Sequence, residues 1–279
     1  MTTTLRPAGP LQQTSDGGRS RPFDVCVNSR RVGSLHLSTA PGFGSGSGVI
    51  EDLRIDERDR RRGRGTVAAL AAEEVLRGWG CREVQISVPS AAEAALRMAT
   101  ALGYVERSRN MEKDLPREPP ALPEGIEVRP MTEAEYVSWS VKAKEEFARS
   151  WMDRGVPADQ ARAKAEASHR ENLPRGLASP GTALHLAVRE GQVVGQLWTG
   201  RRELSSGRTG AYVYDIEVAE GRRGHGYGRA LMLLAERVAL EAGQSLLGLH
   251  VFSGNTPAIR LYTSLGYRTT HVNSYKAVL

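Results

Sequence analysis

The sequence predicts a mixed α/β protein made of two similar halves. Segments with the two-residue alternation of strands are interspersed with segments whose apolar residues recur at helical spacing. Residues 51–104 also repeat at positions 214–267 without a gap, and about a third of the aligned pairs are identical. This alignment places Asp52 on Asp215 and Gly63 on Gly226. Each half is therefore expected to form its own mixed α/β unit.

Each half begins with a predicted β-hairpin, followed by a strand. The hairpin turns are marked by Asn28-Ser29 in the first half and Glu190-Gly191 in the second, residue types that tolerate the backbone of tight hairpin turns. The predicted ranges are hairpins at residues 25–37 and 184–198 and strands at residues 49–55 and 212–218.

An arginine- and glycine-rich loop connects that strand to an amphipathic helix, which in the second half ends at Ala242-Gly243. A short strand, a short helix ended by Gly103 or Gly266, and a last strand complete each half. The predicted ranges are strands at residues 84–88 and 246–252 and helices at residues 91–102 and 256–265.

The elements in front of the second hairpin have no counterpart in the first half. A strand is predicted at residues 126–130, a Thr132-x-x-Glu135 capping box opens a helix that runs to about Met152, and a further helix follows at residues 158–172. Residues 1–21 are rich in Thr, Ser, Gly and Pro and are predicted to be a flexible leader. The N-terminal copy is thus expected to be truncated.

A proline-rich segment between the halves sets the predicted domain boundary, since it suits neither a helix nor an inner strand. The predicted organisation is a leader at 1–21, a degenerate copy at 22–115, a linker at 116–125 and a complete copy at 126–279.

Composition and charge exclude several classes of protein. No apolar run is long enough to span a membrane and no secretory signal is visible, so we expect a cytoplasmic protein with no membrane partner. Cys26 and Cys81 lie far apart without a CxxC motif, which indicates neither a disulfide framework nor a metal site. With 6% aromatic residues and the arginines gathered in one loop, no nucleic-acid partner is expected.

The Arg/Gly loop has the composition of an anion-binding site. The pattern Arg-x-x-Gly-x-Gly starts at Arg223 in the second half and at Arg60 in the first. Glycines let backbone N–H groups at a helix N-terminus approach a pyrophosphate, and the arginine adds charge-assisted contacts. The loop lacks the Gly-Lys-Ser/Thr of P-loop enzymes and the spacing of a dinucleotide site. A purely structural turn is the alternative.

Together with the downstream pattern Asn255-x-x-Ala258-x-x-x-Tyr262-x-x-x-Gly266-Tyr267, this loop resembles the acetyl-CoA core of the GCN5-related N-acetyltransferase (GNAT) superfamily. The resemblance covers about 150 residues of the second half, and the first half carries a weaker version. It implies tandem GNAT (acyl-CoA N-acyltransferase) folds and an N-acetyltransferase that moves an acetyl group from acetyl-CoA to an amine by direct attack.

The resemblance also implies a role for each matching residue. The strand that contains Ile216 and Val218 would pair with the pantetheine arm, Asn255 would contact the cofactor, and Tyr262 would lie near its sulfur. A phenol there suits proton donation to the leaving thiolate; a core aromatic is the alternative. The residues that would hold the pyrophosphate are Arg223, Gly224, His225, Gly226, Tyr227, Gly228 and Arg229.

The general base is open at the level of sequence. His250 lies on the strand before Asn255 and carries an imidazole, the kind of side chain that serves as a general base, while Glu217 lies next to the pantetheine strand end. A hydrogen-bonded strand histidine and a solvent-facing carboxylate are the respective alternatives. Asp215 is ranked below both, because Asp52 matches it in a copy that lacks other catalytic residues.

The first copy has Ala92 where the second has Asn255, and Ala99 where it has Tyr262. A structural partner, a regulatory acetyl-CoA site and a second active site are the three interpretations of that copy, and a non-catalytic acyl-CoA-binding protein is the alternative for the whole chain. The acceptor is expected to be a small-molecule or peptide amine, bound between the helices near Trp139, Trp151 and Asp159–Asn172 and the hairpin near Trp198. Glu145, Glu146 and Trp151 are candidate contacts there, and solvated helix faces are the alternative for the two glutamates. The protein is expected to be a monomer with an internal pseudo-dimer, or a homodimer.

Overall fold

The computed structural model of the chain describes residues 2–13, 17–39, 46–153 and 156–278. The chain forms two compact units. Unit 1 contains Met1–Arg107, Arg154–Val156 and Val272–Leu279, and unit 2 contains Ser108–Asp153 and Pro157–His271. Both units are mixed α/β, as the sequence predicts.

The sheet of unit 1 has the strand order β1-β3-β4-β5-β6. Residues 272–277, near the C-terminus, belong to a further strand that lies beside β6. Helix α1 buries Ala68, Ala72 and Leu76 in the core of this unit, together with Val25 and Leu37. Its elements are β1 (Thr3–Pro7), β2 (Gln12–Gln13), β3 (Arg19–Val27), β4 (Arg30–Thr39), β5 (Ser47–Ile55), α1 (Arg64–Gly78), β6 (Glu83–Pro89), α2 (Glu93–Ala101) and the first residues of β7 (Val105–Asp114).

Unit 2 has the strand order β7-β12-β11-β10-β9-β8. One face of this sheet carries α5 and α6, whose buried residues include Leu231, Leu234 and Tyr262, and a separate apolar cluster contains Trp139 of α3 and Leu186 of β9. Its elements are the rest of β7, β8 (Glu127–Pro130), α3 (Glu133–Met152), α4 (Ala158–Asn172), β9 (Thr182–Arg189), β10 (Gln192–Glu203), β11 (Thr209–Val218), α5 (Tyr227–Glu241), β12 (Leu246–Phe252), α6 (Thr256–Ser264) and the first residues of β13 (Arg268–Ala277).

The local turn and cap signals are confirmed. Asn28 and Ser29 have φ values of 48° and 70°, and Glu190 and Gly191 have values of 52° and 72°, as the predicted hairpin turns require. The Thr132 side chain caps α3 by accepting from the Glu135 amide, while the Glu135 carboxylate accepts from the Thr132 amide at 2.8 Å. Arg129 and these cap bonds lower the pKa of Glu135 to about 2.

The N-terminal segment differs from the predicted flexible leader. Residues 3–7 form β1, which pairs antiparallel with β3 from Thr3–Val27 to Pro7–Phe23. Leu5 packs against the core of unit 1, so this strand covers an otherwise open sheet edge. Among residues 2–13 and 17–39 the structure describes no helix, whereas α3 and α4 precede the second hairpin.

The last strand of each unit comes from the other half of the chain. Residues 108–114 of β7 belong to unit 2, where β7 pairs antiparallel with β12 from Asp114–Leu246 to Ser108–Phe252. Residues 272–277 of β13 belong to unit 1, and Val278 packs in the core of that unit. The sequence predicts both strands but not this exchange, and unit 2 therefore starts before the predicted linker.

The segment at 116–125 has neither helix nor strand, in line with its prolines. Leu122 packs against the core of unit 2, and the Arg237 guanidinium donates to the Pro120 carbonyl at 3.0 Å. In the part of the chain that the structure describes, no helix has the length and apolar character needed to cross a membrane. No group of three or more potential metal ligands is found among the same residues.

Candidate active site

The site is built around a gap between β11 and β12. These parallel strands pair only at Ala211–Leu247, Tyr212–Gly248 and Val213–Leu249. Beyond this point β11 continues to Val218 with β10 as its registered neighbour. A register shift lies where Trp198 faces Asp215 and Thr199 faces Val213, so Tyr214 is the extra residue of a β-bulge. The β12-facing backbone edge of residues 214–218, which includes Ile216 and Val218, is thereby open to an extended ligand.

The Arg/Gly loop lies where β11 leads into α5. Gly221, Gly224 and Gly226 adopt φ values of 76°, 82° and 82°, and residues 221–226 are all exposed. Gly226 occupies the N-cap of α5, where no side chain caps the first amides of the helix. These amides carry the positive end of the helix dipole and would bind an anion.

The two loop glycines before and inside α5 differ in their surroundings. A Cβ on Gly226 would meet nothing within 4 Å, whereas one on Gly228 would lie 3.2 Å from Leu261 of α6. Arg229 also joins the two helices, since its guanidinium donates to Ser264 Oγ at 2.7 Å. Gly228 and Arg229 therefore serve helix packing, while the exposed Gly224 and Gly226 shape the loop.

The side chains of His225 and Arg222 in this loop make polar contacts within unit 2. His225 Nδ1 lies 2.9 Å from the Arg223 carbonyl oxygen. The His225 ring stacks on that of the buried Tyr227, with 6.1 Å between ring centroids. The neighbouring Arg222 guanidinium is hydrogen-bonded to the Gln192 side chain.

Asn255 caps the helix that carries Tyr262. Its Oδ1 accepts a hydrogen bond from the Ala258 amide at 3.2 Å. Ala92 at the equivalent N-cap of α2 makes no side-chain cap. The exposed side chain of Asn255 retains its Nδ2 group for a ligand, so the observed cap is compatible with the predicted cofactor contact.

Tyr262 is buried in unit 2 and is only 7% exposed. Its ring lies 6.2 Å from that of Tyr267, centroid to centroid. Burial, and then the nearby Asp215 carboxylate, raise the pKa of the Tyr262 phenol. The hydroxyl is therefore protonated at neutral pH, which is the form that an acid requires.

Two carboxylates on β11 have different environments. Asp215 accepts from Trp139 Nε1 at 3.4 Å and from Gln196 Nε2 at 3.3 Å, and its pKa is raised chiefly by burial. Glu217 accepts from the Lys142 ammonium at 2.9 Å and from Gln196 at 2.9 Å. Asp215 thus accepts hydrogen bonds from neutral side chains and has a raised pKa, whereas Glu217 forms an ion pair with Lys142.

The sequence alignment does not distinguish Asp215 from Asp52, but the structure does. Its counterpart Asp52 has a side chain that is 72% exposed and pairs with Arg54 at 3.1 Å. The two aspartates therefore share an alignment position but not an environment. His250 is exposed on β12, and its ring meets Phe252 edge-on at a centroid distance of 5.0 Å.

An aromatic cluster lies between α3, α4 and the sheet. Trp139 contacts Trp198 edge-on at 5.5 Å between centroids, and Trp198 stacks on Tyr214 at 4.7 Å. His169 adjoins both tryptophans, and its Nε2 is bonded to Tyr136 Oη at 3.1 Å and to Ser140 Oγ at 3.0 Å.

The other acceptor candidates on α3 are less well placed to receive a ligand. Glu145 lies 3.9 Å from the Arg162 guanidinium, Glu146 lies 3.7 Å from the Lys142 ammonium, and Trp151 is buried. The two glutamates are therefore part of surface ion pairs.

Comparison with known proteins agrees with this geometry. The acetyltransferase (GNAT) family model matches residues 4–104 and again 140–267. The chain belongs to the GNAT family. The double match and the fold establish the tandem arrangement and assign the protein to the N-acetyltransferases.

Relatives are found for the whole chain and for its second half. A mycothiol acetyltransferase of Thermomonospora curvata is 28% identical over 261 residues, covering 91% of this chain and 81% of the relative. The uncharacterized N-acetyltransferase YycN of Bacillus subtilis is 31% identical over 150 residues, covering 53% of this chain and 95% of the relative. The former relative spans both units and the latter has the length of one GNAT copy.

Solved structures show the same fold. A GCN5-related N-acetyltransferase from Sphaerobacter thermophilus matches with a TM-score of 0.58 at 20% identity, covering 92% of this chain and 80% of that one. A tandem GNAT protein from the clavulanic acid biosynthesis pathway matches with a TM-score of 0.54 at 20% identity, covering 93% and 83%.

Proposed function

We propose that the protein is an acetyl-CoA-dependent N-acetyltransferase whose active site lies in unit 2. The observation that carries this proposal is the gap between β11 and β12, flanked by the exposed glycine loop at the start of α5 and by Tyr262 on α6. A strand edge, an anion site and a protonated phenol match the pantetheine arm, the pyrophosphate and the thioester sulfur of one ligand.

Acetyl-CoA would lie along β11. Its pantetheine amides would pair with the backbone near Ile216 and Val218, and the amides of residues 224–229 would hold the pyrophosphate. Arg223 would add charge-assisted contacts, and Asn255 would contact the cofactor through Nδ2 while it caps α6.

The amine nitrogen would attack the thioester carbon directly, forming a C–N bond as the C–S bond breaks. Tyr262 would donate its proton to the departing thiolate, and Asp215 would take the proton lost by the amine, directly or through one water molecule. Asp215 is preferred to the sequence candidates Glu217 and His250 because Glu217 is ion-paired with Lys142 and His250 is exposed. No cysteine lies in the motifs, so a covalent acyl-cysteine has no candidate.

The N-terminal copy would be a structural partner. Asp59 is buried and bonded to Arg30 at 2.8 Å and to Arg64, and the Arg60 guanidinium donates to the Ile55 carbonyl at 2.8 Å. Ile55 aligns with Val218, so a side chain of the loop itself occupies the strand end that would receive a ligand in the second copy. The buried Ala99 supplies no acid there.

The experiment is a free-CoA release assay with acetyl-CoA and a panel of polyamines, aminoglycosides, amino acids and peptide N-termini. Release that depends on an amine, together with the mass of the acetylated product, would support the proposal. Tyr275→Phe is a suitable control variant, because Tyr275 lies on β13 in unit 1 and stacks with Arg107. Tight binding of acetyl-CoA without turnover on any amine would favour a non-catalytic acyl-CoA-binding protein.

A further inference from the structure

A cavity of about 250 Å³ lies in unit 2 at the closed end of the gap between β11 and β12. Tyr212 and Gly248, which line it, form the strand pair that precedes the last one, Val213–Leu249. Pockets for drug-sized ligands occupy roughly 300–1,000 Å³, so this cavity suits a small polar group. Its polar lining includes Asn110, Glu112, Arg202, Glu203 and Ser205.

Glu112 is the buried charge in this cavity, with 7% exposure. Its Oε1 accepts from Ser205 Oγ at 3.2 Å and from the Ser206 amide at 3.1 Å. Within the described residues, no Lys or Arg forms an ion pair with Glu112 and its Oε2 receives no hydrogen bond. A buried carboxylate without a compensating cation is costly, which favours a cationic ligand.

Arg202 also lines the cavity, but its guanidinium contacts other groups. Arg202 lies over the Tyr212 ring at 4.7 Å and over the Tyr214 ring at 6.0 Å from the ring centroids. Its Nε donates to the Glu203 carbonyl at 3.3 Å. The aromatic rings therefore hold this cation, and the negative charge of Glu112 remains for a ligand.

We infer that Glu112 binds a second ammonium group of the acceptor, one that is not acetylated, so that the preferred acceptors are small amines with two amino groups. This inference rests on the proposed function. A monoamine could occupy the reacting position alone, but only a diamine would place one nitrogen at the thioester and the other against Oε2. Because β7 follows the first repeat in the chain, the N-terminal half would supply a specificity residue to the catalytic unit.

The test compares linear diamines of three to six carbons with monoamines of equal chain length. For the wild-type protein, kcat/KM is expected to favour the best diamine by about 10-fold or more, as a charge-assisted hydrogen bond allows. Glu112→Gln keeps an acceptor for Ser205 and Ser206, and is expected to raise the KM for the diamine by about 10-fold while the kcat and the monoamine KM stay within about twofold. The control is Asp114→Asn, since Asp114 lies on the same strand, is exposed and pairs with Arg208 at 2.8 Å.

Binding supplies a readout without turnover. Saturation-transfer NMR of the diamines in the presence of CoA is expected to show binding to the wild type and to Asp114→Asn, and a loss of binding to Glu112→Gln. An unchanged diamine preference in Glu112→Gln, or no diamine binding to the wild type at millimolar concentration, would overturn the inference. Loss of acetyl-CoA binding and of all CoA release would instead count against the proposed function.

Discussion

Lys113 and Glu236 form a buried ion pair in unit 2, with 2.6 Å between Nζ and Oε1. Lys276 and Glu73 form the same pair in unit 1 at 2.7 Å. The repeat relates the two pairs, since 276 − 113 and 236 − 73 are both 163. In each case the glutamate lies on a helix of one half and the lysine on the strand that the other half contributes.

Each lysine also lies near a buried tyrosine. Lys113 is 5.6 Å from the centroid of the Tyr267 ring, and Lys276 is 5.7 Å from that of Tyr104. Burial, followed by the charge of Glu236 or Glu73, raises the pKa of each phenol. Each pair thus fixes the register of one exchanged strand, because its lysine and glutamate must lie next to each other in the interior of the unit.

Removing one member of the buried pair is expected to destabilise the protein strongly. Glu236 is 1% exposed, so Lys113→Met leaves its charge uncompensated and should lower the free energy of unfolding by about 3–5 kcal/mol. Urea denaturation measures this loss. The double variant Lys113→Met, Glu236→Leu should recover most of it, whereas Arg97→Gln, in an exposed pair with Glu93, should cost about 0–1 kcal/mol. Equal effects of the buried and exposed changes would contradict this assignment.

Tyr262→Phe is expected to lower turnover by at least about 10-fold while the affinity for acetyl-CoA stays within a few-fold, because only the proton donor is lost. Initial rates and calorimetric titration with acetyl-CoA measure the two quantities. Tyr275→Phe should leave both unchanged. Wild-type turnover in Tyr262→Phe would remove this phenol from the proton-transfer step.

Gly226→Val is expected to weaken acetyl-CoA binding by at least about 10-fold, because a branched side chain would occupy the space in front of the α5 amides. The matched control is Gly221→Val. Gly221 has φ +76°, close to the +82° of Gly226, and a Cβ at either residue would meet no atom within 4 Å. The backbone strain is therefore similar, and only the position relative to the helix N-terminus differs. Calorimetric titration measures the affinity for acetyl-CoA. Equal losses of affinity in the two variants would mean that the loop is only a structural turn.

Asp215→Asn is expected to lower kcat/KM by about 100-fold at neutral pH if Asp215 is the base. Burial raises the pKa of Asp215 in the folded state, so the carboxyl contributes fully to stability below its unfolded-state pKa and loses that contribution as pH rises through the folded-state pKa. The neutral amide avoids this loss, and thermal unfolding at pH 7 should therefore occur at an equal or higher temperature than in the wild type.

The pH profile separates the three base candidates. The wild-type kcat/KM should fall on the acid side at a pH above the ordinary range of an aspartate, and Asp215→Asn should abolish that limb. Glu217→Gln and His250→Ala should retain it. A limb that disappears in His250→Ala instead would transfer the role of base to the histidine.

The sequence predicts the elements better than their partners. Periodicity, turn residues and the Thr132 capping box act locally, and they fix helices and hairpins close to the observed bounds. The sequence does not show which unit β7 and β13 join. Because the two halves have similar sequences, each strand could pair in either unit. The raised pKa of Asp215 likewise comes chiefly from its burial in the folded unit. The alignment with Asp52 carries no information on burial.

Deleting residues 1–118 is expected to yield a C-terminal fragment that is less stable and less soluble than the whole chain. The deletion removes β7, so β12 becomes an open edge and Glu236 loses Lys113. A fragment that starts at Val105 keeps β7, and should therefore express in soluble form better than the shorter one.

In the full chain, Arg60→Ala and Gly63→Val should leave turnover nearly intact, because the loop of unit 1 is closed by its own Asp59 and Arg60 contacts. Calorimetric titration should give one acetyl-CoA per chain. A stoichiometry of two, with a change in rate or affinity in Gly63→Val, would make the N-terminal loop a regulatory acetyl-CoA site.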